Sequence, residues 1–110
     1  MIVSSDFLKV DIRVGTIISA KINDCAYKSS FLLIIDFGDG IGLKKSSAQL
    51  NANYTIEGLI NKQIAAVINL QPKQIGKMIS EVLVLGFPDV NNNPVLIFPD
   101  FKIKNGGKLF

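Results

Sequence analysis

The sequence contains no histidine and no tryptophan, and its only cysteine is Cys25. Histidine is the usual general base near neutral pH, so its absence removes the commonest form of acid–base catalysis. It also excludes nucleophilic sites of the Ser-His-Asp and Cys-His types. The usual zinc ligand sets cannot be assembled from one cysteine. The nine acidic residues are scattered along the chain and form no close pair. We therefore expect a protein that is not an enzyme and that holds no cofactor and no metal.

Long hydrophobic runs are also missing, because Asp, Asn or Gly interrupts every apolar stretch. A membrane-spanning helix needs about 20 apolar residues, so no membrane span is expected. Residues 1–6 show no basic region followed by an apolar core, which is the pattern of a signal peptide. Cys25 cannot form an internal disulfide, which is typical of reducing compartments. These features together predict a cytoplasmic protein.

What the sequence has in excess is apolar side chains. Hydrophobic residues make up 48% of the 110 residues and charged residues only 19%. This length predicts a single domain over residues 1–110, and such a domain buries roughly two-thirds of its unfolded surface. An apolar patch must then stay exposed or be covered by a partner. We expect a homodimer, with residues 1–3 and 95–110 as the contact face.

The net charge is +3, and the lysines are grouped. Lys44 and Lys45 are adjacent, Lys73 and Lys77 fall in one predicted loop, and three more lysines lie near the C-terminus. Groups of this kind bind phosphates in RNA-binding proteins. They are about as often solvated lysines on loops, so charge alone leaves both interpretations open.

Hydrophobic periodicity predicts an all-β chain. Apolar and polar residues alternate over residues 8–14, with a bulge or bend at Gly15 before the strand continues to Ile18. Further strands are predicted at residues 31–37, 41–46, 63–70 and 82–86. Gly38-Asp39-Gly40 predicts a tight hairpin turn, and residues 95–98 pair back across the turn at 91–94.

One short helix is predicted within residues 51–61, capped by Thr55 or Asn53. The resulting order is β-β-β-α-β-β, with a C-terminal hairpin extension. It is the order of the five-stranded OB-fold barrel, in which one short helix lies between strands 3 and 4. The alternative is an SH3-like barrel or a sandwich, neither of which requires a helix at that point.

The loop at residues 70–80 is the first candidate site. Pro72 restricts its backbone, and Gly76 permits a turn or a close approach to a ligand. Asn69 and Gln74 offer donors and acceptors to base edges, Lys73 and Lys77 offer charge to phosphates, and Ser80 adds a hydroxyl. An ordinary hairpin connection with satisfied polar groups accounts for the same residues.

The second candidate site is the segment at residues 42–47. If Leu43 faces the core, Lys44 and Ser46 face outward on the barrel, beside Lys45. Lys28 lies next to Tyr27 in the loop before the second strand, where an aromatic ring stacks well on an unpaired base. These two segments and the loop give the predicted RNA-binding residues Lys28, Lys44, Lys45, Ser46, Asn69, Lys73, Gln74, Lys77 and Ser80.

These segments resemble a known family. The matching stretches are Val10-Asp11-Ile12-Arg13-Val14-Gly15, Ile35-Asp36-Phe37-Gly38, residues 41–49 and residues 69–83, together with Gly86-Phe87-Pro88-Asp89 and Asn105-Gly106-Gly107. They resemble the tRNA-binding OB domain that is appended to methionyl- and tyrosyl-tRNA synthetases. That domain also occurs as small free-standing proteins, and the resemblance is to the CsaA-like group among these.

The resemblance implies a non-catalytic homodimer that binds tRNA by shape and phosphate contacts. CsaA-like proteins are described as secretion-related chaperones, so it also implies an alternative, in which unfolded or exported polypeptides bind an apolar pocket near the dimer interface. The chain departs from its relatives in the second strand, where Leu32 and Ile34 replace basic residues. This change weakens phosphate binding and favours protein contacts.

Overall fold

A computed structural model of the chain describes residues 1–23 and 30–110. Two short helices and nine strands follow one another along these residues. They are α1 (Ser4–Phe7), β1 (Ile12–Asn23), β2 (Ser30–Asp36), β3 (Leu43–Ala48), α2 (Ile56–Leu59), β4 (Gln63–Val67), β5 (Lys73–Ile75), β6 (Met78–Ser80), β7 (Leu83–Val84), β8 (Gly86–Pro88) and β9 (Pro94–Leu96). Lys28 and Cys25 lie outside the described residues.

The central element is an antiparallel five-stranded sheet in the order β3-β2-β1-β4-β7. β1 is long enough to pair with β2 through its C-terminal half and with β4 through its N-terminal half. The register between β1 and β2 shifts between Ile17 and Ser19. A shift of this kind increases the local twist, so the sheet curls and the two halves of β1 serve different neighbours.

The two edges of the curled sheet approach each other through residues 80–82. The Glu81 amide donates to the Lys45 carbonyl at 2.8 Å, and the Glu81 carboxylate accepts from the Lys45 amide at 3.0 Å. The next residues enter β7, which pairs with β4. The sheet therefore forms a half-barrel, and the predicted OB-fold architecture is confirmed, with α2 between β3 and β4.

The core fills the inside of this half-barrel. Its largest fully buried side chains are apolar residues from β1, β2, α2 and β4 and from the adjoining loops: Ile17, Leu33, Ile35, Phe37, Leu50, Leu59 and Ile64. Along β2, Phe31, Leu33 and Ile35 are buried and alternate with less buried residues, as the two-residue period of a strand requires.

Two local predictions are confirmed in detail. The hairpin between β2 and β3 turns at residues 38–42, where Gly38, Gly40 and Gly42 all have φ between 81° and 87°. Only glycine adopts such values at little cost. Helix α2 is capped by Thr55, whose hydroxyl accepts the Gly58 amide at 3.0 Å.

The start of the first strand is where the prediction is wrong. Residues 8–10 are exposed and follow α1, and β1 begins only at Ile12. Gly15 lies within regular pairing to Ile64 and makes no bulge. Its lack of a side chain serves packing, because a Cβ there would lie 2.7 Å from Ile35 and 2.8 Å from Phe37.

The C-terminal residues add a hairpin and an irregular tail. β8 and β9 pair in the predicted hairpin extension. The tail then lies along β1, with Val14 donating to the Gly107 carbonyl and Gly106 and Leu109 donating to the carbonyls of Val14 and Ile12. Among the described residues, no helix is both long and apolar enough to cross a bilayer.

Candidate nucleic-acid interface

A groove lies between the edge of the half-barrel at β3 and the small hairpin formed by β5 and β6. Its volume is about 230 Å³. Apolar and polar side chains both line it. The apolar ones are Leu70, Ile75, Val82 and Leu83, and the polar ones are Ser47, Gln71, Lys73, Ser80 and Glu81. Two segments that are far apart in the sequence thus share one concave surface.

The loop predicted at residues 70–80 is this hairpin. Lys73 pairs with Ser80 and Ile75 with Met78, so these four residues share the face that includes the groove-lining side chains. Gly76 turns the chain with φ 62°, and the Gln74 side chain donates to the Gly76 carbonyl at 2.8 Å. The hairpin is therefore stabilised by a hydrogen bond within its own turn.

Two predicted residues of the hairpin do not line the groove. Gln74 pairs with Ile79 on the opposite face, where both are exposed. Lys77 is exposed at the turn. Both remain available to solvent, so a ligand must extend beyond the groove to touch them.

On β3 the predicted orientation is reversed. Leu43 is exposed, while Ser46 is only 1% exposed and donates its hydroxyl to the Val82 carbonyl at 3.1 Å. Register explains this, because Ser46 lies opposite Leu33 on the inner face of the sheet. Ser46 therefore helps to join the sheet edges and offers no surface to a ligand.

Lys44 and Lys45 consequently lie on opposite faces of β3 and differ in exposure. Lys45 is exposed and lies opposite Ile34 on the outer face, next to the groove through its backbone bonds to Glu81. Lys44 is half-buried and lies opposite Ile35, on the side of the core. Lys45 is the better placed of the two to meet a phosphate.

Asn69 and Ser80 bind other parts of the chain. The Asn69 amide accepts from the Asp11 backbone at 2.9 Å and donates to the Lys9 carbonyl at 2.7 Å, which ties the entry of β1 to the end of β4. The Ser80 hydroxyl accepts from the Ser47 amide at 3.0 Å and donates to the Val82 carbonyl at 3.3 Å. Ser80 still lines the groove, whereas Asn69 is exposed outside it.

Sequence reasoning missed Glu81 and Lys21. Glu81 adds an acidic residue to the lining of a groove for which the sequence predicts only lysines and neutral polar contacts. Lys21 is exposed on β1 opposite Leu32, which in turn lies opposite Ser47. The alternation of residues along β1 indicates that Lys21 faces outward. Its position opposite Leu32 follows only from the pairing of β1 with β2.

The outer face of β1, β2 and β3 is apolar in the middle with a lysine on either side. Leu32 and Ile34 are half-buried at the centre, and Lys21 and Lys45 stand on the neighbouring strands. The positive charge missing from the second strand is therefore supplied partly by its neighbours.

A second, more apolar surface is formed by the two chain ends and is called the terminal face below. One cavity of about 330 Å³ is lined by Ile12, Val14, Pro99, Ile103, Leu109 and Phe110 together with neighbouring residues. Another of about 510 Å³ is lined by Ile2, Val3, Phe7, Leu8 and Phe110 and by Ser4. Phe110 lines both cavities.

One carboxylate has its ionisation shifted by its neighbours, and it lies away from the groove. The pKa of Asp89 is below 3.8 because the Asn53 side chain and the Asn93 and Asn91 amides donate to its carboxylate. Asp89 is in the turn between β8 and β9. No group of three potential metal ligands occurs within residues 1–23 and 30–110.

The chain matches one protein family, and the similar proteins of known sequence agree with that match. Residues 12–108 match the sequence model of the family described as "Putative tRNA binding domain". The methionine–tRNA ligase of Pyrococcus horikoshii is 35% identical over 104 residues, covering 94% of this chain and 14% of the ligase. That of Porphyromonas gingivalis is 30% identical over 104 residues, covering 94% of this chain and 15% of the ligase. The chain thus spans about one seventh of the length of these enzymes.

Solved structures that match over the whole chain include two CsaA proteins. The CsaA chaperone protein of Picrophilus torridus is 47% identical, with a TM-score of 0.93 and complete coverage of both chains. Chaperone CsaA of Bacillus anthracis is 40% identical, with a TM-score of 0.91, covering 100% of this chain and 99% of that one. The resemblance drawn from the sequence motifs is confirmed.

Proposed function

The chain belongs to the family of tRNA-binding domains, and we propose that it binds tRNA at the groove between β3 and the β5–β6 hairpin. The observation that carries this proposal is the groove itself, because it brings the lysine-bearing hairpin beside the lysine-bearing edge strand. Lys73 and Lys45 meet phosphates, and Lys77 and Lys21 extend the positive surface. Lys28, Lys44 and Gln74 remain predicted contacts of the same RNA.

Recognition in this proposal is by backbone and shape, without catalysis and without a cofactor. RNA helices present phosphates and 2′-hydroxyls more readily than base edges, so a rigid charged groove suits them. The small hairpin is stiffened by Pro72 and by the bond from Gln74 to Gly76. A single domain over residues 1–110, located in the cytoplasm where tRNA is found, is part of the proposal.

The test measures binding of total tRNA by filter retention at several salt concentrations. The logarithm of the affinity should fall linearly with the logarithm of salt, because phosphate contacts release bound cations. Lys45→Glu and Lys73→Glu should each weaken binding and reduce that slope by about one unit. Lys102→Glu, in the C-terminal tail away from the groove, is the matched control. Affinity that does not respond to salt would exclude a phosphate-led mechanism.

A homodimer completes the proposal, with the terminal face as its contact. Large apolar side chains are unusually exposed there, including Ile2, Phe7 and Phe110. Exposed apolar surface of this extent is costly in water and is typical of an interface. Two copies would carry two grooves, so one tRNA could contact both and gain affinity by avidity.

A second candidate function is favoured by the apolar character of the terminal face. The solved CsaA proteins are named chaperones, and cavities of about 330 and 510 Å³ could hold apolar side chains of an unfolded or pre-secretory polypeptide. This activity predicts suppression of light scattering by an aggregating client at near-stoichiometric ratios and little dependence on salt. Unchanged scattering at those ratios would rule it out.

A further inference from the structure

We propose that the groove holds one unpaired nucleobase and that the Glu81 carboxylate makes it prefer a base with an exocyclic amino group, cytosine above uracil. This inference rests on the proposed binding of RNA and adds base preference to the same site. Shape recognition alone predicts no such preference.

The size and the chemistry of the groove fit a single planar base. Its volume of about 230 Å³ lies below the roughly 300–1,000 Å³ of pockets that hold drug-sized ligands. Apolar side chains that line it, among them Leu70, Ile75 and Leu83, can contact the faces of a base. Lys73 also lines it and can donate to the phosphate of the same nucleotide.

Glu81 is held in place by the fold. Its Oε1 accepts the Lys45 amide at 3.0 Å, and its own amide donates to the Lys45 carbonyl at 2.8 Å. One bond fixes the backbone of Glu81 and the other its carboxylate, so little further ordering is needed when a ligand arrives. Among the described residues that line the groove, Glu81 is the one acidic residue.

A carboxylate can only accept hydrogen bonds. The amino group of cytosine donates to it, whereas uracil presents a carbonyl oxygen at the same position and is repelled. The other polar side chains that line the groove do not oppose this preference. Lys73 is assigned to the phosphate, Gln71 offers both donor and acceptor, and the Ser47 and Ser80 hydroxyls are hydrogen-bonded within the protein. The preference therefore depends on Glu81.

The first experiment compares oligocytidylate and oligouridylate of equal length by fluorescence anisotropy at one salt concentration. The wild type should bind oligocytidylate about tenfold more tightly, as a charge-assisted hydrogen bond allows. Glu81→Gln keeps an oxygen for the Lys45 amide but adds a donor for uracil, so the preference should disappear. Glu57→Gln, on the exposed side of α2, should keep it.

The second experiment needs no variant. Cytidine 5′-monophosphate added to ¹⁵N-labelled protein should shift the amide signals of Leu70, Ile75 and Leu83, while those of Gly107 and Leu109 on the tail stay unchanged. Shifts only on the tail, or none up to the solubility of the nucleotide, would overturn the proposal. So would an apolar peptide that binds these residues more tightly than oligocytidylate does.

The outcomes separate this inference from the proposed function. If total tRNA binds with the expected salt dependence but the two oligonucleotides bind equally, the nucleobase pocket is wrong and tRNA binding stands. If total tRNA does not bind even at low salt, the proposed function fails as well.

Discussion

Several polar side chains around the groove are engaged in holding the fold together, and this decides which of them a ligand can use. Ser46 and Ser80 bind backbone groups across the join between the sheet edges. Asn69 binds the backbone of the segment before β1, at Lys9 and Asp11. The exposed lysine side chains near the groove form none of these hydrogen bonds. Their positive charges are therefore available to a ligand.

The alternation of side chains along a strand limits what the sequence can predict at this scale. Leu43, Lys45 and Ser47 share one face of β3 and Lys44 and Ser46 the other, as the two-residue period requires. Sequence alone does not say which face is inside, because a serine occupies the buried position. Only the pairing of Ser46 opposite a core residue of β2 decides it, and it reverses the predicted orientation.

Gly15→Ala should destabilise the protein by about 1–3 kcal/mol, because the added methyl group overpacks the core. Its Cβ would lie 2.7 Å from Ile35 and 2.8 Å from Phe37, closer than carbon atoms pack. Urea unfolding followed by circular dichroism measures the change. Gly107→Ala is the control, since its nearest neighbour would lie at 3.3 Å. Equal stability of Gly15→Ala and the wild type would contradict the packing role.

Asn69→Ala should lower the free energy of unfolding by about 1 kcal/mol, because two hydrogen bonds to the Lys9 and Asp11 backbone are lost. Affinity for total tRNA, measured where the variant is fully folded, should change less than that of Lys73→Glu. A large loss of affinity with unchanged stability would instead make Asn69 a direct contact of the RNA.

At the scale of elements, the sequence predicts the strands whose apolar residues have a clear period and fails where amphipathic residues lie outside the sheet. Residues 8–14 alternate as a strand should, yet β1 starts at Ile12. Leu8 and Val10 are exposed, and Leu8 is part of the terminal face. Apolar residues that are exposed in one chain fit a contact between two chains. The alternating pattern alone predicts instead that they belong to the core of a single chain.

The hairpin of β8 and β9 is held by Asp89, and its stability should depend on pH. The pKa of Asp89 is lowered from 3.8 by hydrogen bonds from Asn53, Asn93 and Asn91. A lowered pKa in the folded state means that the ionised form stabilises the fold above pH 3.8, and that this contribution is lost as the pH falls through the lowered value. Asp89→Asn should therefore melt below the wild type at neutral pH.

The melting temperatures of Asp89→Asn and the wild type should converge as the pH is lowered below 3.8. Thermal unfolding recorded from neutral to strongly acidic pH measures this. Asp100→Asn, an exposed carboxylate after the hairpin, is the control. A difference between Asp89→Asn and the wild type that is constant across the whole range would show that ionisation of Asp89 does not matter.

At the scale of the whole molecule, the groove and the terminal face are lined by different residues. The groove offers Lys73 and the Glu81 carboxylate among apolar side chains, and the terminal face is almost entirely apolar. Composition indicates a surplus of apolar surface, and the sequence predicts that both chain ends carry it. The fold brings these ends together, since Phe110 and residues 2–8 line one cavity. The proposed RNA binding and the proposed association between copies therefore depend on separate sets of residues.

Phe110→Glu should dissociate the proposed dimer, because Phe110 lines both cavities of the terminal face and a charge there cannot be buried unpaired. Light scattering coupled to gel filtration should give the mass of one chain for the variant and of two for the wild type. Val90→Glu, a fully exposed residue in the β8–β9 turn, should remain a dimer. The monomer should bind total tRNA more weakly with its groove intact, since avidity is lost. A wild type that is itself monomeric would remove the dimer from the proposal and leave the groove as the sole basis of RNA binding.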